Sequence, residues 1–398
     1  MSISKSIAGL ALACALTGPS PALAQYWSRS WMAAPLVRVP APTDRPSIVD
    51  ATVRQVVRIS SGGKALRLRV SNELSDAPLV LGEVHVALAD TQGRIVAGTD
   101  RVLTFSGRQG ATVPGRAPLL SDPVAMPVKP LTRLAVTIHL PVGATLPTEH
   151  SYSAATAWVA PGNQVGAVQL EHSVPLNPRL LISAVEVETA RRARTVVTLG
   201  DSITDGVRAT PDSDRRWPDL LAERLQQAGL TDVGVANAGI SANRLLSEGD
   251  GQNALARFDR DVLAVPGVSH VIVLEGVNDI GTAARDGRPI PTFDDMIGAY
   301  RQIIARAHEH GVKVTLATIL PYKDAKYWSA EGEAVREAVN AWILRNDEAD
   351  GAADLAASVA DPADPRHFAA PYDSGDALHP NDAGFARMAA AVRLADLK

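Results

Sequence analysis

The chain has 398 residues, enough for two domains of about 100–200 residues each. Hydrophobic residues make up 46 % and charged residues 21 %, the composition of a folded globular protein rather than a disordered one. Thirty-nine Lys and Arg against 43 Asp and Glu leave a net charge of −4, and aromatics reach only 4 %, so the chain is not expected to bind nucleic acid.

The first segment reads as an address. Lys5 precedes an apolar run at 7–16, and Ala22-Leu23-Ala24 puts small residues at the −3 and −1 positions of a signal-peptide cleavage site after Ala24. The run is too short to cross a bilayer, and no later segment reaches about 18 uninterrupted apolar residues. Stable membrane insertion is therefore not expected, and the mature chain is expected in a periplasm or in the medium. Cys14, the single cysteine, excludes a disulfide scaffold, a thiolate zinc site and an iron–sulfur centre by count. Lipid attachment at Cys14 is the other reading of this segment, but Ala11-Leu12-Ala13 has its Leu and Ala in the wrong order.

From 25 to 190 the apolar residues alternate. Leu66, Leu68 and Val70 share one face of a strand with Arg67, Arg69 and Ser71 on the other; 84–88 and 134–140 repeat the pattern. Gly and Pro turn formers separate such runs, which indicates an antiparallel β-sandwich of jelly-roll type. The arginines are expected on a solvated outer face, and Trp27, Trp31 and Trp158 in packing rather than as a sugar-stacking platform.

From 191 to 398 the rhythm changes. Residues 195–199, 233–236, 271–274 and 314–319 form short, nearly continuous apolar runs, as in strands buried on both faces. Helical patterns alternate with them at 218–225, 296–310, 333–344 and 383–397. Pro218 suits a first helical turn, and Gly229 and Gly311 suit helix ends. Alternating strands and helices predict a parallel α/β sheet with its working site at the carboxyl ends of the strands.

Those ends carry polar residues. The first strand runs into Gly200-Asp201-Ser202-Ile203-Thr204, the second into Asn237-Ala238-Gly239-Ile240-Ser241, and the third into Glu275-Gly276-Val277-Asn278-Asp279. Asp376-Ala377-Leu378-His379-Pro380 precedes the last helix. A serine hydroxyl becomes a useful nucleophile when an imidazole takes its proton and a carboxylate holds that imidazole's tautomer. His379 and Asp376 can supply both from one loop, which Pro380 biases towards a turn. The Gly239 N–H, the Asn278 amide and the Ser202 N–H are the candidate oxyanion donors. Asp373 is an alternative orienting acid, and Asp201 is expected to bond neighbouring backbone. No Gly-x-Ser-x-Gly surrounds Ser202, which counts against an α/β-hydrolase elbow. His308-Glu309-His310 lacks metal-site spacing and reads as a solvated helix end.

These four blocks, in this order, resemble the SGNH hydrolases, also called the GDSL esterase/lipase family, with Ile203 where the name-giving motif has Leu. The resemblance covers residues 195–398. It implies a flavodoxin-like three-layer α/β/α fold, metal-free and cofactor-free hydrolysis of carboxylic esters, Ser202 as nucleophile, Asp376 and His379 as its partners, and Gly239 and Asn278 in the oxyanion hole. Thr52-Val53-Arg54-Gln55 and the run from Leu66 to Asn72 look like the front domain of secreted bacterial two-domain members, several of which deacylate plant polysaccharides. Short acyl esters, such as acetyl groups on carbohydrate, are the expected substrates. A lipase or lysophospholipase is the alternative, and a non-catalytic carbohydrate-binding module the alternative of another class.

Overall fold

The computed structural model describes residues 25–37, 48–142, 148–190, 192–283 and 285–397, so the expected signal peptide at 1–24 lies outside the described residues. The described residues between 26 and 189 form antiparallel strands, most of them in two main sheets. One contains Tyr26–Met32, Ile182–Thr189, Gly63–Ser71, Pro118–Leu120 and Val124–Val128; the other is built around Ala51–Arg58 and Arg133–Leu140. Leu66, Leu68, Val185 and Val187 from the first and Val53, Val57, Val136 and Ile138 from the second share one buried core, as in a β-sandwich.

The face that alternation assigned to solvent is only partly solvated, with Arg67 and Arg69 half-buried. Arg67 Nε donates to Glu186 Oε2 at 2.7 Å and its guanidinium lies 4.2 Å from the Trp27 ring centre. Arg69 Nη1 and Nη2 hold the Glu73 carboxylate at 2.8 Å, and Nη1 also donates to Ser183 Oγ. Glu186 from the neighbouring strand, Glu73 just past the end of the same strand and the Trp27 ring cover much of this face, so period two reported the side correctly and its environment only in part. Trp31 is buried, as expected.

The last antiparallel strand ends at Thr189 and the first parallel strand, Arg194–Gly200, begins five residues later. It is flanked by Val233–Gly239 and Val268–Leu274, followed outward by Lys313–Ala317 and Gly351–Ala353. Numbered by chain position the order is 2-1-3-4-5, the flavodoxin-like arrangement, whose switch point lies beside the first strand. Helices Trp217–Gln227, Phe293–Glu309 and Ala330–Ile343 match the expected periodic segments, whereas the segment expected as one helix over 383–397 is the helix Asp382–Ala391, ended by extended backbone at Val392, and a separate 3-10 turn at Leu394–Leu397. The fifth strand, Gly351-Ala352-Ala353, has no β-branched residue to announce it.

The two halves share structure. Met32, Ala34 and Leu36 from the front half are buried in the core of the α/β half. Tyr26–Met32 is an edge strand of its sheet and runs beside Val233–Gly239, the edge of the parallel sheet. The Val235 N–H donates to Ser60 Oγ at 2.8 Å, and Ser60 Oγ–H donates to Ser30 O at 2.7 Å. Gly234 permits this approach, because a Cβ there would lie 2.8 Å from Arg29 O. The front half thus covers a strand edge that would otherwise be open to pairing.

Candidate active site

Asp201 and Ser202 open a one-turn helix, Ser202–Asp205, directly after the first strand. Asp201 caps it by accepting from the Ile203 N–H at 2.9 Å, and Gly206, at φ 98°, closes it. Ser202 Oγ lies 2.9 Å from His379 Nε2. The chain returns 177 residues later in a tight loop, where Ser374 N–H donates to His379 O at 3.0 Å and Ala377 takes φ 57°.

Within that loop Asp376 folds back on its own backbone. Its Oδ1 accepts from the Leu378 and His379 N–H groups at 3.1 and 2.8 Å, and its Oδ2 lies 2.9 Å from His379 Nδ1. A carboxylate only accepts, so Nδ1 carries the ring proton and Nε2 turns its lone pair to the Ser202 hydroxyl. Burial opposes the charge on Asp376, but the hydrogen bonds from the His379 side chain and from the His379 and Leu378 N–H groups outweigh it and hold the carboxyl well below the usual range. Arg208 Nε adds a contact at 3.1 Å from an exposed side chain. Asp373 spends its Oδ1 on the Gly375 and Ala377 N–H groups, so it shapes the loop and does not orient the imidazole.

The oxyanion side needs one correction. Gly239 N–H donates to Asn237 Oδ1 at 2.8 Å, and a Cβ on Gly239 would sit 2.3 Å from Asp205 N. This glycine lets the second strand pass beneath the nucleophile helix; it is not an unspent donor. Three residues on, Ala242 takes φ 58°, an uncommon conformation for a residue with a Cβ, and its N–H has no acceptor among the described residues. The Ser202 N–H is likewise unspent among them. Asn278 Nδ2 donates to Asn243 O at 3.0 Å, which sets its amide against the same loop, and Tyr327 O–H donates to Asn278 Oδ1 at 3.3 Å. The second Nδ2 proton remains for a ligand.

A buried polar floor ties these loops together. Arg257 is fully buried and donates to Gly200 O, Ala238 O, Asn243 Oδ1 and Asp261 Oδ2, at distances from 2.6 to 3.2 Å. It thereby joins the ends of the first two strands to the loop that holds Asn278. Asp279 accepts from the Leu245 and Leu246 N–H groups at 2.7 and 2.9 Å, and burial pushes its carboxyl up to about 6. Burial likewise pushes Asp201 up to about 7. Glu275 is raised well above the ordinary value; its nearest cation, Arg257 Nη2, lies 3.5 Å away. Neither Arg257 nor Asp279 stood out in the sequence: a lone Arg in a helix and an Asp beside Asn278 carry no local signal of burial.

Residues 198–387 match the GDSL-like lipase/acylhydrolase family. The C-terminal half is a GDSL-like acylhydrolase domain. The acetyl xylan esterase AlAXEase is similar at 24 % identity over 50 % of this chain and 96 % of its own, with a TM-score of 0.39. A GDSL-like lipase from Bacteroides thetaiotaomicron is similar at 20 % identity over 51 % of this chain and 88 % of its own, with a TM-score of 0.39. An α/β hydrolase enzyme from the metagenome of Lake Arreo, Spain, is similar at 18 % identity over 51 % of this chain and 96 % of its own, with a TM-score of 0.40. No curated protein matches. In the acylhydrolase domain no described cluster of three His, Cys, Asp or Glu side chains could hold a metal ion, and His308 and His310 bond Asp350 and Arg306 O at the end of their helix. No described helix is long and apolar enough to cross a membrane.

Proposed function

We propose that this ester hydrolase works through a Ser202–His379–Asp376 triad and an acyl-enzyme, and that it removes short acyl groups, acetyl in particular, from carbohydrate outside the cytoplasm. The observation that carries the mechanism is the continuous hydrogen-bonded line from Ser202 Oγ through both ring nitrogens of His379 to Asp376 Oδ2, each contact 2.9 Å long. Ser202 Oγ attacks the ester carbonyl carbon while His379 Nε2 takes its proton; Asp376 stabilises the imidazolium that forms. The Ser202 and Ala242 N–H groups and Asn278 Nδ2 receive the oxyanion. His379 then protonates the departing alcohol oxygen. Water, deprotonated by the same ring, releases the acid and restores Ser202.

The substrate class is supported by what surrounds the triad. Among the described residues, none of the exposed large hydrophobic side chains lies in 200–208, 239–247, 275–286 or 373–380. The loops carry Arg208 instead, and an Arg244–Asp286–Arg288 group. A surface that docks on lipid presents a contiguous apolar patch; this rim suits a hydroxyl-rich substrate. Export rests on the sequence of residues 1–24, and N-terminal sequencing of the mature protein should begin at Gln25.

A chain-length series of p-nitrophenyl esters, run beside acetylated xylan, tests the reading. Turnover should be greatest for acetate and vanish in Ser202→Ala. Rates that climb towards long acyl chains would overturn the substrate class, and wild-type turnover by Ser202→Ala would overturn the mechanism.

A further inference from the structure

We propose that His150, contributed by the front β half, is a positioning residue of the esterase site: through Asp205 it fixes both the helix that carries Ser202 and the loop that presents the Ala242 N–H. The consequence for turnover rests on the serine-esterase reading above; the physical coupling rests on geometry alone.

His150 ends the short strand Thr148–His150 and is only 5 % exposed. Its Nδ1 lies 2.8 Å from Ala34 O, and its Nε2 lies 2.9 Å from Asp205 Oδ1. A carbonyl oxygen only accepts, and so does an ionised carboxylate, so both contacts are satisfied when each ring nitrogen carries a proton. Burial works against that charge, and the Asp205 carboxylate outweighs it, which raises the His150 pKa above its ordinary value. The guanidinium of Arg216 faces the same small cavity as the imidazole and Asp205, and it is committed to Asp219 at 2.8 Å.

Asp205 makes this contact matter to the site. It is the last residue of the one-turn helix that Ser202 begins, and it is 2 % exposed. While Oδ1 faces His150, Oδ2 accepts the Ser241 N–H at 3.1 Å and the Ser241 hydroxyl at 2.7 Å. Ser241 immediately precedes Ala242. One carboxylate therefore pins the nucleophile helix and the oxyanion loop to each other, and the front half supplies its cationic partner. A helix of one turn has almost no stability of its own, so its placement depends on contacts of this kind. The β half, on this account, completes the esterase rather than serving only as an attached module.

The test compares His150→Leu, His150→Gln and Ser60→Ala in the full chain. His150→Leu removes the donor to Asp205, and His150→Gln keeps an amide N–H for it. Ser60→Ala breaks the bond to Val235 at the opposite end of the same edge strand, so it weakens the interface without touching Asp205. In His150→Leu, kcat on p-nitrophenyl acetate should fall about tenfold or more with KM moving less than about threefold, and His150→Gln should recover a large part of the loss. Ser60→Ala should lower the melting temperature and leave kcat within about twofold of wild type. Amide hydrogen exchange should quicken at Ser241 and at 202–206 in both His150 variants, more in Leu than in Gln, and not in Ser60→Ala.

That exchange readout does not need turnover, so a wild type without esterase activity would count against the esterase reading and leave the coupling to be decided by exchange. Unchanged exchange at Ser241 and 202–206 would overturn the proposal. So would wild-type kcat in His150→Leu, or an equal loss of kcat in Ser60→Ala. Should His150→Leu fail to fold, His150→Gln decides alone: faster exchange supports the coupling, and wild-type exchange refutes it.

Discussion

Replacing Asp376 by Asn separates orientation from mere proximity in the triad. The Asp376 Oδ1 is pinned by the Leu378 and His379 N–H groups, so an Asn would keep its carbonyl oxygen there and turn its NH2 towards His379 Nδ1. An NH2 donates, so Nδ1 would have to give up its proton and accept, and the proton would move to Nε2, where it faces Ser202 Oγ. The ring then could not act as base. A triad held in the wrong tautomer typically loses about 10⁴-fold in kcat, which is about 5.5 kcal/mol of transition-state stabilisation. Stability should fall far less, by about 1–3 kcal/mol, because the loop keeps its backbone bonds and loses one charge-assisted contact. Arg208→Ala is the companion variant; its exposed contact to Asp376 should be worth at most about 1 kcal/mol. Steady-state kinetics on p-nitrophenyl acetate with a parallel melting curve reads both numbers. An Asp376→Asn enzyme within about tenfold of wild type would refute the tautomer argument. The pH dependence has a definite sign. Asp376 is held below its ordinary value, so its stabilisation is complete above about pH 4 and is lost only as the pH falls through the depressed native value. Loss of the Asp376 charge therefore contributes nothing to any decline in turnover above about pH 4.

Gly239→Ala should abolish most activity, because the new Cβ would press on the backbone of Asp205, whereas Ala242→Gly should keep activity and gain about 0.5–1 kcal/mol in a denaturant melt by relieving a positive φ. Reversed effects would return the donor role to Gly239. Arg257→Lys has three N–H groups for the four acceptors that Arg257 serves, Gly200 O, Ala238 O, Asn243 Oδ1 and Asp261 Oδ2, so at least one loses that donor in the interior, at about 1–3 kcal/mol, and kcat should fall with stability; wild-type kcat in a folded Arg257→Lys would show that the floor does not hold the site. Asp201 has a raised carboxyl, so the folded chain keeps a proton that the unfolded chain releases near pH 4, and stability declines as the pH rises from about 4 to 7. Asp201→Asn should raise the melting temperature more at pH 8 than at pH 5, and an equal offset at both would contradict the assignment.

The grouping of Ser202, His379 and Asp376 was legible in the sequence because each member sits where strand-to-helix chemistry is read most easily. Ser202 directly follows an apolar strand, and the stretch from Asp376 to Pro380 forms a turn that leaves Asp376 no distant partner to find. The oxyanion loop was less legible. A glycine needed so that one backbone can pass under another looks the same in sequence as a glycine that frees a donor, and Ala242 gives no sign that it must take a positive φ. The covering of Arg67 depends on Glu186 and Trp27 from other strands, and Arg69 is held by Glu73 just past its own strand and by Ser183 from another, none of which strand periodicity reports. His150 stands 55 residues before Asp205, in a domain of another fold, and only the packing of the two halves brings them together. The floor under the site was equally hidden, since the partners of Arg257 are mostly main-chain carbonyls.

The central claim is that one serine among all those in the chain is activated by the imidazole that the fold brings to it. Treatment with a fluorophosphonate followed by peptide mass spectrometry tests it most directly, since only an activated hydroxyl reacts at a useful rate. The account predicts a single stoichiometric adduct on Ser202, lost in His379→Ala while that variant stays folded. An adduct on another serine, or undiminished labelling of Ser202 in His379→Ala, would contradict it.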